Sequence, residues 1–184
     1  TASHNTAVGY YALSESVTAG NNACFGYQAG KANTTGDSIT AVGSAALEAN
    51  TTGSNNTAVG ESALQYNTTA ANNTAVGKRA METNTGGQHQ TAVGSYSLFA
   101  NTTGGDNTAV GYYSLKENTT GTQNTAVGFE ALKSNTDASY STAVGSQSLE
   151  NSTGNSNTAV GTFALQLNTT ASSNTAIGRE AMLD

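Results

Sequence analysis

The residues best equipped for chemistry are few: two histidines, His4 and His89, and a single cysteine, Cys24. Neither histidine has a Cys or carboxylate at a metal-ligand spacing, so His89 reads as a loop residue. One cysteine excludes an intrachain disulfide framework and a Cys-rich metal site. GSYSL at Gly94 to Leu98 has the start of a nucleophile elbow but lacks the closing glycine. GYQAGKA, from Gly26, has the wrong spacing for a phosphate loop. GGD at Gly104 to Asp106 falls short of the Gly-rich nonapeptide of calcium-binding rolls. An active site needs a convergent, unique constellation. None is visible, so neither an enzymatic activity nor a cofactor is expected.

What is visible is a refrain. NTAVGYYSLKENTTGTQ, residues 107 to 123, is followed at once by NTAVGF. Anchored on its glycine, the phrase recurs at Gly9, Gly26, Gly43, Gly60, Gly77, Gly94, Gly111, Gly128, Gly145, Gly161 and Gly178. Nine spacings are 17 residues and one, Gly145 to Gly161, is 16. The repeat covers residues 1–184 as one domain, with no linker and no cap at either end. Each copy holds short β-prone pieces between Asn, Gly and Thr turn signals, with no room for a normal helix. The expected fold is therefore all-β, a repetitive β-solenoid (β-roll or β-helix) of about eleven 17-residue coils. Strands stacked at about 4.8 Å would make a rod about 50 Å long. Stacked Asn and Thr columns would hydrogen-bond along its axis.

Composition narrows the partners. The net charge is −6, and the six Lys and Arg do not cluster, which argues against nucleic acid. No apolar run approaches the ~20 residues of a membrane helix, so no membrane insertion is expected.

Alternate strand residues share a face. Thr108 and Val110 therefore point one way, Asn107 and Ala109 the other. We expect Val110 inside with Leu115, because the Val column is β-branched and almost constant. The Ala column then faces outward, and its refusal of longer residues implies close packing by a neighbouring chain. Candidate interchain residues are Ala7, Ala41, Ala58, Ala75, Ala92, Ala109, Ala126, Ala143, Ala159 and Ala176. The converse, Ala inward in a very narrow coil with Val and Thr outward, is the alternative. Cys24 in the Ala column, beside Phe25 in the Val column, reads as local repacking around a small buried thiol.

The two columns after the glycine vary freely. They hold Tyr10, Tyr11, Tyr27, Tyr96, Tyr112, Tyr113, Phe129 and Phe163, eight of the 12 aromatics, mixed with charged residues. This stripe reads as surface: solvated decoration, a contact between chains, or a ligand-contact strip in which Tyr offers a flat apolar body with a polar tip. The recurring sequons, such as Asn118-Thr119-Thr120, read as a turn ladder in preference to glycosylation sites.

The phrase resembles the head repeats of trimeric autotransporter adhesins, and the NTAVGYxAL and NTTG repeats of phage and phage-like tail fibres. Ala109, Val110, Gly111, Ser114 and Leu115 are the matching positions. The resemblance implies a left-handed β-roll or β-helix, three chains side by side, and an extracellular fibre. The 17-residue period departs from the adhesin heads, which repeat at about 14, and Thr stands where an aliphatic is usual there.

The expected function is a structural or adhesive segment of an extracellular or virion fibre. Its expected partners are itself, as a homotrimer or end to end, and a cell-surface or glycan receptor. An uncapped solenoid is either part of a longer fibre or stacks end to end. Two alternatives are a carbohydrate-binding head using the aromatics and an ice-binding Thr ladder. Against ice binding stand the alternation of Thr with Val and the opposite facing of adjacent Thr-Thr residues.

Overall fold

A computed structural model describes residues 2–183 of the chain. It is a β-solenoid in which each repeat contributes one three-residue strand. The strands are β1 (Thr6–Val8), β2 (Ala23–Phe25), β3 (Thr40–Val42), β4 (Thr57–Val59), β5 (Thr74–Val76), β6 (Thr91–Val93), β7 (Thr108–Val110), β8 (Thr125–Val127), β9 (Thr142–Val144), β10 (Thr158–Val160) and β11 (Thr175–Ile177). They form one parallel 11-stranded sheet in sequence order. Equivalent residues pair without slippage, as in Ala109↔Ala126 and Val110↔Val127. The register survives the short repeat, where Thr142 still pairs with Thr158.

The rest of each coil is not strand but a ribbon of tight turns, also bonded from rung to rung. In the seventh repeat, the Gly111 and Tyr113 amides donate back to the Val93 and Ser95 carbonyls. The Leu115 and Glu117 amides donate forward to Ala131 and Lys133. This alternation needs left-handed backbone at Tyr113 (φ 59°) and Leu115 (φ 49°), repeated in other rungs. Such conformations are costly for residues with a Cβ. Here the hydrogen bonds to both neighbouring rungs hold them in place.

The interior reverses the expected placement. Ala109 and its column mates from Ala41 to Ala159 are 0% exposed. Val42, Val59, Val76, Val93 and Val160 are 36–37% exposed and line the outside. The pairing of faces read from the sequence holds, but the face turned inward is the other one. The reason is volume. Each coil is so narrow that one large side chain, Leu115 in the seventh repeat, fills it, flanked by small Ala109 and Ser114, all at 0% exposure. Overpacking such a core is destabilising.

Much of the interior is polar. Asn33, Asn50, Asn67, Asn84, Asn101, Asn118 and Asn135 form one buried column. Each later member donates from Nδ2 to the Oδ1 of the one before, at 2.7–3.2 Å. Nδ2 also closes its own turn, as from Asn118 to the Gly121 carbonyl at 3.1 Å. A second column replaces backbone pairing: the Asn124 amide donates to Oδ1 of Asn107, 2.9 Å away, whose Nδ2 reaches the Gly121 carbonyl at 2.8 Å. Outside the turn, the Thr102 and Thr119 hydroxyls donate to the Thr119 and Thr136 carbonyls. Buried polar atoms are stable only when paired, and these columns supply the pairs.

The exceptions show the same logic. Ser152, not Asn151, occupies the ladder position in the short repeat: its amide donates to the Leu149 carbonyl as that of Asn118 does to Leu115. The missing residue lies in the turn that follows, so the sequence alignment on Asn151 is corrected. Serine is too short to reach, and Asn135 Oδ1 is left buried without a partner. Ser16, at the same position of the first rung, has an equally orphaned hydroxyl. Restoring the ladder with Ser152→Asn is expected to raise the unfolding free energy by about 1 kcal/mol, read as a higher urea midpoint.

In the second rung Gly30 stands where other rungs have Leu or Met. A Cβ there would lie 2.7 Å from the Cys24 sulfur, 3.5 Å from Ile39 Cδ1 and 3.6 Å from Leu13 Cδ1. Thus Cys24, larger than Ala, and Ile39, in place of Asn, fill the volume the missing leucine leaves. Three departures from the repeat compensate one another at one place. Burial pushes the Cys24 thiol up to about 11 from its ordinary 9.0. The folded chain keeps that proton while the unfolded chain loses it. Stability from this group is therefore full below pH 9.0 and declines as pH rises from 9.0 toward about 11. Urea titrations across that window should show the decline in the native chain and lack it in Cys24→Ala. Alkylation of Cys24 by iodoacetamide should require unfolding.

Candidate functional site

The variable stripe is positioned by the backbone just described. In a strand, consecutive side chains face opposite ways. Here the left-handed residue two after each glycine turns both post-glycine side chains outward. Tyr112 is 42% exposed and Phe129 48%, and Tyr113 is half-buried between them and the next turn.

Seven of the eight aromatics read from the sequence fall into two groups. In the first, Tyr10 stacks on Tyr27 with ring centroids 5.7 Å apart and 7° between planes, and Tyr11 meets Tyr10 edge-on at 4.2 Å. In the second, Tyr112 stacks on Phe129 at 5.8 Å and 13°. Tyr113 lies 3.9 Å from Tyr112 and 5.5 Å from Tyr96. Phe99 joins through Tyr96 at 5.6 Å. It sits five residues after its glycine, outside the two columns singled out, which is why the sequence reading missed it. Its three-residue spacing from Tyr96 was the available signal. Phe163 stands alone, half-buried, with no aromatic partner among the described residues. Tyr66 and Tyr140 are exposed in other columns, and Phe25 lies on the outer face of β2.

Charge surrounds the second group. Lys116 Nζ sits 4.9 Å from the Tyr113 ring centroid and the Arg79 guanidinium 5.9 Å from that of Tyr96. Below and above run rung-to-rung pairs, Lys78 to Glu61 at 3.0 Å and Lys133 to Glu150 at 3.8 Å, and Lys133 also pairs with Glu130 of its own rung at 3.0 Å. The Glu130 hydrogen bond raises the Lys133 pKa. The Tyr113 hydroxyl, together with desolvation and nearby negative charge, pushes the Tyr112 phenol up to about 12, so it stays a neutral donor. A shallow concavity of about 260 Å³ lies elsewhere, lined by Glu15, Lys31, Ala32, Glu48, Ala49 and Tyr66.

The candidate interchain alanines are placed differently. Ala41, Ala58, Ala75, Ala92, Ala109, Ala126, Ala143 and Ala159 are enclosed by their own coil, and Ala176 is 4% exposed. Ala7, on the first strand, is exposed. Side chains sealed inside one coil offer no surface to a second chain, because the narrow core already uses them. The outward face of the sheet belongs instead to the Thr and Val columns.

His89 lies exposed on a turn, its Nδ1 3.5 Å from Asp106 Oδ1 in the next rung. Among the described residues no three His, Cys, Asp or Glu side chains come together as a metal site. No helix among the described residues is long and apolar enough to cross a membrane. The arrangement can stack against flat or apolar groups and hydrogen-bond at its rim. No family model, curated protein or solved structure matches this chain.

Proposed function

We propose that this solenoid is a stiff structural segment of an extracellular or virion fibre. The observation that carries the reading is the slip-free strand register over all 11 rungs, reinforced by rung-to-rung side-chain ladders. Backbone, two Asn columns and a Thr column repeat the same contacts along the rod. Each rung contacts mainly its neighbours, so length is added without changing the cross-section. Bending such a rod requires breaking several ladders at once. Immunogold electron microscopy with antibodies to the chain tests the placement. Label on surface filaments or particle appendages is expected; label confined to the cell interior sinks the reading.

A second reading, adhesion to a glycan, is favoured by the stacked pair Tyr112 and Phe129. Both rings are exposed on adjacent rungs and offer apolar surface against which the apolar face of a sugar can pack. Lys116 and the two tyrosine hydroxyls supply hydrogen bonds at its edge. Glycan-array binding that falls to background in Tyr112→Ala and Phe129→Ser supports this reading. Binding unaltered by both substitutions, or silence of the native chain, removes it.

A further inference from the structure

The tyrosines are distributed unlike the other oxidisable residues. Six of the eight touch another tyrosine: Tyr10, Tyr11 and Tyr27 in one group, Tyr96, Tyr112 and Tyr113 in the other. Two of these contacts pass from one rung to the next. Tyr10 stacks on Tyr27 at 5.7 Å between ring centroids, and Tyr96 meets Tyr113 edge-on at 5.5 Å. Tyr66 and Tyr140 have no aromatic partner among the described residues. Exposure does not separate the two kinds, since Tyr10 and Tyr140 are each 63% exposed. Residues that usually compete for oxidants are missing or sealed. The chain has no Trp, and Cys24 and Met81 are 0% exposed, which leaves Met182 as the accessible sulfur.

Neighbouring rungs already hold these rings together. Strand spacing puts equivalent backbone positions about 4.8 Å apart, so joining two rings across rungs needs only side-chain rotation. A bond between consecutive tyrosines would instead close a small ring across one peptide. The backbone there is pinned in left-handed geometry at Tyr11 (φ 55°) and Tyr113 (φ 59°). The ring of the exposed Tyr112 lies 3.9 Å from that of Tyr113 and stacks on Phe129, which has no phenol. A radical formed at Tyr112 therefore moves to Tyr113, which faces Tyr96. Tyr11, with its ring 4.2 Å from that of Tyr10, relays in the same way to the first pair.

We propose that Tyr10–Tyr27 and Tyr96–Tyr113 are oxidative cross-linking sites, joined as dityrosine by a haem peroxidase using hydrogen peroxide. Each phenol gives up one electron and its hydroxyl proton, leaving a neutral tyrosyl radical. The two radicals pair to form one C–C bond between ring carbons ortho to the oxygens. Each of those carbons then releases its hydrogen as a proton, and each oxygen regains one, restoring both aromatic rings. Two tyrosines and one hydrogen peroxide thus give one dityrosine and two waters. Each link closes a 17-residue loop and ties one rung to the next. The sites react in this way whether or not the chain is part of a fibre.

The test treats the whole native chain, at high dilution, with a plant haem peroxidase and limiting hydrogen peroxide. Digestion at Glu and Asp separates Tyr10 from Tyr27 at Glu15, and Tyr96 from Tyr113 at Asp106. Mass spectrometry should then find each pair of peptides joined, lighter than their sum by two hydrogen atoms. Tyr27→Phe should lose the first link and keep the second, and Tyr113→Phe should do the reverse. Phe129 and Phe163 occupy those columns natively, so both variants keep the ring packing. Links only between chains, links only between consecutive tyrosines, or no dityrosine at all overturns the proposal. So does the same set of links from a chain unfolded in urea, because the folded geometry would then select nothing. One joined pair alone upholds that site and removes the other.

Discussion

Ala109→Lys is expected to cost more than about 4 kcal/mol, whereas Val110→Lys should cost less than about 1 kcal/mol. The two residues are adjacent in β7 and differ in burial, Ala109 at 0% exposure and Val110 partly open to solvent. A lysine at position 109 would place an ammonium group among Leu115, Ser114 and the buried Asn118, in a coil with no spare volume. Its stem cannot reach water without displacing the rung. At position 110 the stem lies along the outer face with its head in solvent. The placement first expected from the sequence demands the opposite ranking. Urea unfolding followed by circular dichroism separates the two. Because contacts in a solenoid are nearest-neighbour, the Ala109→Lys chain should also lose amide protection first in the sixth to eighth repeats.

Gly111→Ala should be nearly as damaging, at about 3 kcal/mol or more. Gly111 has φ 131°, a region that residues with a Cβ rarely adopt. An added Cβ would also run into the carbonyl group of Gly128, with the carbonyl carbon 2.7 Å away. That group is backbone in the next rung, tied by its own ladder, and cannot swing aside. Gly86→Ala is the contrast. Gly86 does not have positive φ, and an added Cβ would meet no atom nearer than Thr103 Cγ2, 3.6 Å away. It should cost about 1 kcal/mol or less. Equal loss in the two alanine variants, measured by urea midpoint, would refute the argument from the post-strand bend.

Much of the stack was legible in one dimension. A period of 17 residues kept from Gly9 to Gly145 leaves little choice but identical rungs, and a solenoid follows. The Asn118 ladder and the return turn to Gly121 were also readable, because a buried column of one amide residue can pair with itself. The role of Cys24 as a repacked thiol was readable from its place in the Ala column. Its compensation by Gly30 and Ile39 was not, since those residues lie six and 15 positions along and meet only when the coil closes.

The sequence by itself determined the period, the parallel register and which residues share a face. Each is a property of spacing, and spacing is carried along the chain. Only the tertiary structure decided which face turns inward. Alternation is symmetric between two sides, and a constant β-branched column suits a core and an outer sheet face equally well. Closing 17 residues into one coil breaks that symmetry, because the enclosed volume admits one Leu per rung and no second branched side chain. Ala is therefore kept small by its own coil, and Thr and Val are left as the surface that any partner must meet.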